Sequence, residues 1–323
     1  MRGFIRILMA MAMAVVCHGG AWAKYPDRPI QIYIPAGPGG SNTMVARILA
    51  NEVQKELGQP LVIVNRGGAG GQIATNEVAK AAPDGYNLLL TYGGPIASGL
   101  ALFKSVPYDV SRDLTPIALL AEVSILMVAS PSFPAKSVQE VIEYARANPG
   151  QLTASINSYG AMGHLLTEQF RATNKLQINQ IPYKGSGEAM TDFLAGRIDI
   201  AFDTIPALMP FIKDSKVTAF AVGSEARSPF LPDLPTFKEL GFQGMEATVW
   251  YALMAPANTP KDIIARLSKA FEKALQTQQV KDGMAKLGIV PRYEPPAAAE
   301  KFIQEETKKW GQVVKDAGLR QMD

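Results

Sequence analysis

Cysteine and histidine are nearly missing from this chain: Cys17, His18 and His164 are the whole supply in 323 residues. Residues 1–23 read as an export leader. Arg2 and Arg6 give a positive start, residues 7–16 (ILMAMAMAVV) an apolar core, and Ala21, Trp22 and Ala23 the small-residue site that signal peptidase cuts. The apolar run is too short to span a bilayer. Cys17 follows Ala-Val-Val, not the Leu-Ala-Gly type of sequence that precedes a lipidated cysteine, so a lipoprotein is not favoured. Cleavage after Ala23 leaves a mature chain without cysteine and with one histidine, His164. That excludes a disulfide framework and nearly excludes Cys/His metal sites, and no cofactor is expected. An excess of one charge is missing too. Losing the two leader arginines lowers the net charge from +3 to +1, which speaks against nucleic acid as a partner.

Apolar runs and helical patterns alternate instead. Strands are predicted at residues 30–35, 61–64, 86–92, 152–157, 178–183, 198–202 and 217–223, with helical segments between them. In residues 43–57, Val45, Ile48, Leu49 and Val53 share one face before Gly58 and Pro60 stop the helix. Such alternation predicts an α/β fold with parallel sheets covered on both faces. Two runs break the rhythm, residues 115–130 and 246–256, both long and β-like. They suit crossings between two domains: 24–124, 125–245, and a return at 246–323. The alternative is one large sheet with both runs at its centre. The C-terminal part reads as helices, one capped by Thr259 with Pro260 at its first position. A final helix in residues 297–318 is expected to pack back onto the first domain.

The candidate chemistry lies in loops. After the first strand comes Gly37-Pro38-Gly39-Gly40-Ser41-Asn42-Thr43. It lacks the lysine of a P-loop and the third glycine of a dinucleotide fingerprint. What remains are glycines that let backbone approach a ligand, and a helix N-terminus with unpaired N–H groups and a favourable dipole. Ser41, Asn42 and Thr43 add short polar side chains, so a carboxylate held without a permanent cation is expected; a tight turn with Asn42 or Thr43 merely capping is the alternative. Glycine loops recur at residues 65–71, 157–164 and 183–190. On two facing domains they make a cleft for a small ligand. Catalysis is the weaker class: His164 opens a helix and is expected to bond within its own loop, and Asp199 and Asp203, four apart on one strand face, read as structural. A secreted hydrolase or isomerase is the competing reading.

Many ordered motifs across the mature chain resemble the Bug-type solute receptors of tripartite tricarboxylate transporters. They include YPDRPI at Tyr25, the PxxPGGS stretch from Pro35, NRGGAGG at Asn65, APDGYNLLL at Ala82, IPYKGSGEAMTDFLAGRIDIAFD at Ile181 and RSPFLPDLPTFKELG at Arg227. The resemblance implies a monomeric periplasmic receptor of the two-domain, type II Venus-flytrap fold, with two crossover strands, delivering an organic acid to a membrane permease. It places ligand contacts at Pro38, Gly39, Gly40, Ser41, Asn42 and Thr43 of the first loop. In the second domain it places them at residues 157–164, among them Asn157, Ser158, Gly160 and His164, with Lys184, Gly185 and Asp203.

Departures from the family pattern bear on the ligand. Asn42-Thr43 replaces the common Thr-Asp, Tyr92 replaces a small threonine, Ala36 an aromatic, and Ala161 and Met162 replace small polar residues. Tyr92 and Met162, with Trp250 or Tyr251, are expected to line the ligand space, unless they belong to the core. Loss of the acid disfavours amino acids. Aromatic and thioether groups favour a flat body, hence an aromatic dicarboxylate such as terephthalate, with citrate or adipate as the aliphatic alternative. Arg47, a full turn into its helix, is expected to be structural.

Overall fold

The first strand shows how the fold begins. In β1 (Ile30–Ile34), Ile30, Ile32 and Ile34 are buried while Gln31 is exposed, the period-2 pattern of a strand. The computed structural model describes residues 25–38, 41–156, 159–183, 186–319 and 321. The expected leader therefore lies outside the described residues, as do Gly39, Gly40, Asn157, Ser158, Lys184 and Gly185. β1 pairs in parallel with β2 (Leu61–Asn65) and β3 (Asn87–Tyr92). Helix α1 (Ser41–Leu57) follows β1 and starts two residues earlier than its apolar stripe predicts. It seats Val45, Leu49 and Val53 on the sheet, each contributing roughly 1.5–3 kcal/mol by burial. Helix α2 (Gln72–Ala79) covers the other face with Ala74 and Val78.

β4 (Leu114–Ala129) joins two sheets. Residues 114–124 pair antiparallel with β9 (Thr248–Pro256), which also pairs with β3. Residues 125–129 pair with β7 (Ile200–Thr204) and β8 (Thr218–Val222). β5 (Thr153–Ile156) and β6 (Asn179–Pro182) extend the second sheet in parallel. Between these strands run helices α3 (Val138–Ala147), α4 (Met162–Asn174), α5 (Ser186–Leu194) and α6 (Ile205–Lys213). The strand order is β2-β1-β3-β9-β4-β7-β5-β6 with β8 and β10 (Val290–Glu294) attached to β4.

The return crossing is made by the residues leading into β9. Gly223 N–H donates to Ile125 O (2.7 Å) and Ala247 N–H to Gly223 O (2.6 Å). A Cβ on Gly223 would stand 2.9 Å from Ala247 O and 3.2 Å from Met245 O, so three backbone segments meet here only because that side chain is missing.

After β9 come α7 (Lys261–Gln276), α8 (Gln278–Lys286), β10 and α9 (Pro296–Asp316). Two expectations are corrected. Thr259 does not cap α7: its hydroxyl donates to Pro256 O (2.8 Å), and extended Pro260 takes the cap position instead. The final helix does not belong to one half. Ala299 and Ile303 pack with Trp250 and Leu89 of the first core, whereas Trp310, Val313 and Val314 pack with Phe170 and Phe202 of the second. β10, sequence VPRYE, escaped the strand reading because it alternates nothing; its proline is tolerated at an edge beside β4.

Candidate functional site

Three elements hold the first loop. Asn65, the last residue of β2, donates its side-chain amide to Thr43 Oγ1 (2.8 Å) and Ala36 O (3.2 Å), tying the loop to α1. The glycine loop of residues 66–71 lies against it: a Cβ on Gly67 would meet Gly37 N at 3.2 Å, and one on Gly71 would meet Pro35 Cβ at 3.1 Å. From β9, the buried Tyr251 donates to Ser41 Oγ (2.8 Å).

Within this frame the predicted contacts separate. Pro38 and Ser41 are exposed. Thr43 is fully buried, and its Oγ1 accepts from the Asn65 amide. Asn42 is 7% exposed, and its Nδ2 has no hydrogen-bond partner among the described residues. Tyr92 is the cross-strand neighbour of Tyr251. Its ring is half-buried, burial raises its phenol pKa, and its hydroxyl forms no hydrogen bond among the described residues. Tyr251 is pushed up to about 12 by burial first, so it remains a donor at any physiological pH. Arg47 is exposed and lines a groove with Asn51, Gln279 and Asp282, toward α8.

Trp250 does not line the ligand space. It is fully buried, stacked edge-on against Phe302, and donates its indole N–H to Glu306 (2.8 Å). Among the described residues Tyr251 likewise shows the cleft no surface beyond its hydroxyl bond to Ser41.

In the second half, Gly160, at φ +75°, donates its N–H to His164 Nδ1 (2.9 Å), the in-loop bond expected of this histidine. A Cβ there would lie 2.4 Å from Leu102 Cδ1, a side chain that itself packs in the second core although it precedes β4 in the chain. Ala161 is exposed at the start of α4, and Met162 is half-buried against the second core. His164 is buried; desolvation lowers its pKa, opposed by Glu168 with Oε1 at 3.8 Å from Nε2. With Nδ1 accepting, the neutral ring carries its proton on Nε2, facing that carboxylate. Glu168 is further held by Arg171 Nη2 (2.7 Å) and Gln180. Asp203 is buried and accepts the Thr204 N–H (2.7 Å). Asp199 accepts from the Thr153 N–H and hydroxyl, a structural role.

Asn65, Tyr251 and Leu102 carry roles that sequence reading missed. Tyr251 and Ser41 stand 210 positions apart, and only the strand order brings them together.

Comparison with known proteins matches this architecture. Residues 45–319 match the model of the tripartite tricarboxylate transporter family receptor. Protein BugT of Bordetella pertussis is 40% identical over 297 residues, covering 92% of this chain and 91% of BugT. The structure of the periplasmic binding protein BugD superposes with a TM-score of 0.75 at 32% identity, covering 92% of this chain and all of BugD. R. palustris Rpa4515, solved with adipate, gives 0.79 at 32% identity over the same shares. With its two-domain α/β fold and this match over most of its length, the chain belongs to the tripartite tricarboxylate transporter receptor family, a substrate-binding receptor and not an enzyme.

Proposed function

We propose that this receptor captures an organic dicarboxylate, best of all a planar aromatic one such as terephthalate, and hands it to the membrane permease of a tripartite transporter. One observation carries the carboxylate reading. Asn42 Nδ2 is a buried donor with no partner among the described residues, in the first turn of a 17-residue helix. A buried donor left unmade costs about 1–3 kcal/mol, so the site is built for an acceptor that arrives later. The helix dipole favours that acceptor being anionic. No acidic residue stands in the first turn of α1, which removes a partner for an ammonium group.

The flat body is supported by the half-buried ring of Tyr92, whose hydroxyl has no partner among the described residues, and by Met162 and the exposed ring of Tyr159 on the second half. Gly39, Gly40, Asn157, Ser158, Gly160, Ala161, His164, Lys184, Gly185 and Asp203 complete the proposed contacts, in a monomer exported to the periplasm and cut after Ala23. The proposed halves are residues 24–124 with 246–323, and 125–245. The adipate bound by Rpa4515 favours the second reading, an aliphatic dicarboxylate. Calorimetric titration with benzoate, terephthalate, protocatechuate, adipate, citrate and aspartate decides. Terephthalate should bind tightest and be recovered unchanged; tight citrate or aspartate with no response to aromatic acids would sink the reading.

A further inference from the structure

The hydroxyl at the ligand loop is not left to choose its own orientation. Ser41 opens α1 and is exposed, but its Oγ is already occupied as an acceptor by the Tyr251 hydroxyl at 2.8 Å. A serine hydroxyl has one proton to give. Once its lone pair is engaged from the sheet side, that proton is left for whatever lies beyond the loop. Tyr251 itself is held between two strands: it is 1% exposed, and it is paired in register with Tyr92 on β3 and Ala121 on β4. Its ring packs in the same core as Val45, Ala46 and Leu49 of α1, so strand and helix share one face of the sheet. Beside it on that face stands Tyr92.

We propose that Tyr251 is a positioning residue: carried on the strand that returns the chain to the first half, it donates to Ser41 and thereby turns the Ser41 proton outward as a donor to the bound carboxylate. This rests on the reading of the first loop as the carboxylate site. Hydrogen bonds in series polarise one another, so a serine that already accepts is a better donor than a lone one. The burial that raises the Tyr251 phenol to about 12 keeps its proton in place throughout. The first-half donors then form a neutral set, Ser41, Asn42 and Tyr92, with the orientation of Ser41 fixed before the ligand arrives.

Single and paired variants of Tyr251→Phe and Ser41→Ala, with Ser41→Thr as the conservative control, test this with terephthalate and adipate as probes. Tyr251→Phe should weaken binding about threefold to tenfold in the wild-type and Ser41→Thr backgrounds. In the Ser41→Ala background the same substitution should change affinity no further. A penalty of equal size in all three backgrounds overturns the proposal, because Tyr251 would then act through packing alone. Hydrogen exchange of the ligand-free protein is the second arm: Tyr251→Phe and Ser41→Ala should each speed exchange in residues 41–49, and the pair no more than either. If exchange is unchanged in both single variants, the anchor does not exist, whether or not a probe binds. If Asn42→Leu abolishes binding while Tyr251→Phe alters neither readout, the loop reading survives and this one fails.

Discussion

Replacing Asn42 by leucine should make the empty protein more stable and the receptor worse. Leucine copies the branched skeleton of asparagine, with two bulkier methyl groups in place of the oxygen and the amide nitrogen, so at a position 7% exposed the substitution opens no new cavity. It removes an Nδ2 donor that has no partner among the described residues. The relief is the desolvation penalty of one unmade hydrogen bond, about 1–3 kcal/mol. Leucine also has the better helix propensity, worth roughly 0.5 kcal/mol. Asn51→Leu, at an exposed position of the same helix, measures that second contribution separately. For a chain of this size each kcal/mol moves the melting temperature by about 2–4 °C.

The expected result is therefore a ligand-free melting temperature raised by several degrees in Asn42→Leu and by about 1–2 °C in Asn51→Leu. Added terephthalate or adipate should stabilise wild type and Asn51→Leu, by linkage, but not Asn42→Leu. Thermal melts with and without ligand read all of this in one experiment. An Asn42→Leu protein that melts no higher than wild type and still gains stability from ligand would refute the reasoning, since Asn42 would then be neither strained when empty nor used when full.

Two further outcomes follow from the second half and the crossing. His164 is held neutral by burial, with its pKa below the ordinary histidine value, so its contribution to stability is complete above the unfolded value of about 6.5 and is lost as pH falls through the depressed folded value. Urea midpoints should drop on acidification, and His164→Asn, which keeps an acceptor for the Gly160 N–H, should flatten that fall; an unchanged slope would show that His164 is not the titrating group. Gly223→Ala should cost about 1–3 kcal/mol in urea unfolding by pressing a methyl against the backbone of Ala247 and Met245. An unshifted midpoint would mean that the return crossing has slack the geometry does not show.

Much of the scaffold was legible because it rests on local pattern. Alternation in β1, the Val45/Leu49/Val53 stripe of α1 and the two long β-like runs each declare themselves within a few residues, and every strand but β10 fell where expected to within about two residues. Failures came where a distant partner decided. Trp250 read as a candidate for the ligand space, but its indole N–H meets Glu306, 56 positions on, and the same carboxylate oxygen takes the Trp310 indole, also at 2.8 Å. That shared acceptor lies on α9, the helix whose two ends enter different cores, which no periodicity along the helix distinguishes. Thr259 matched a capping pattern, yet the Pro256 carbonyl at the end of β9 competes for its hydroxyl. The glycine loop at residues 65–71 read as a further loop beside the cleft; its Cβ clearances add that it packs against the first loop, a detail of ångströms that spacing does not encode.

Neutral donors at the first loop, as proposed for the carboxylate, would suit a receptor that alternates between loaded and empty. An arginine buried there would hold a carboxylate strongly, but once the ligand left it would be an uncompensated buried charge, a cost of about 3–5 kcal/mol. An amide left without its acceptor costs about 1–3 kcal/mol, and a hydroxyl already engaged from behind costs less still. The structure follows the cheaper course: Arg47 faces the α8 groove, and Arg66, beside Asn65, pairs with Glu77 at 3.6 Å. Neutral donors would also keep the field at this loop modest, so that release here would not mean pulling a carboxylate off a buried cation. What they give up in strength must be recovered by orientation. The loop's geometry would meet that need, with Asn65 holding Ala36 and Thr43 from one side and Tyr251 holding Ser41 from the other.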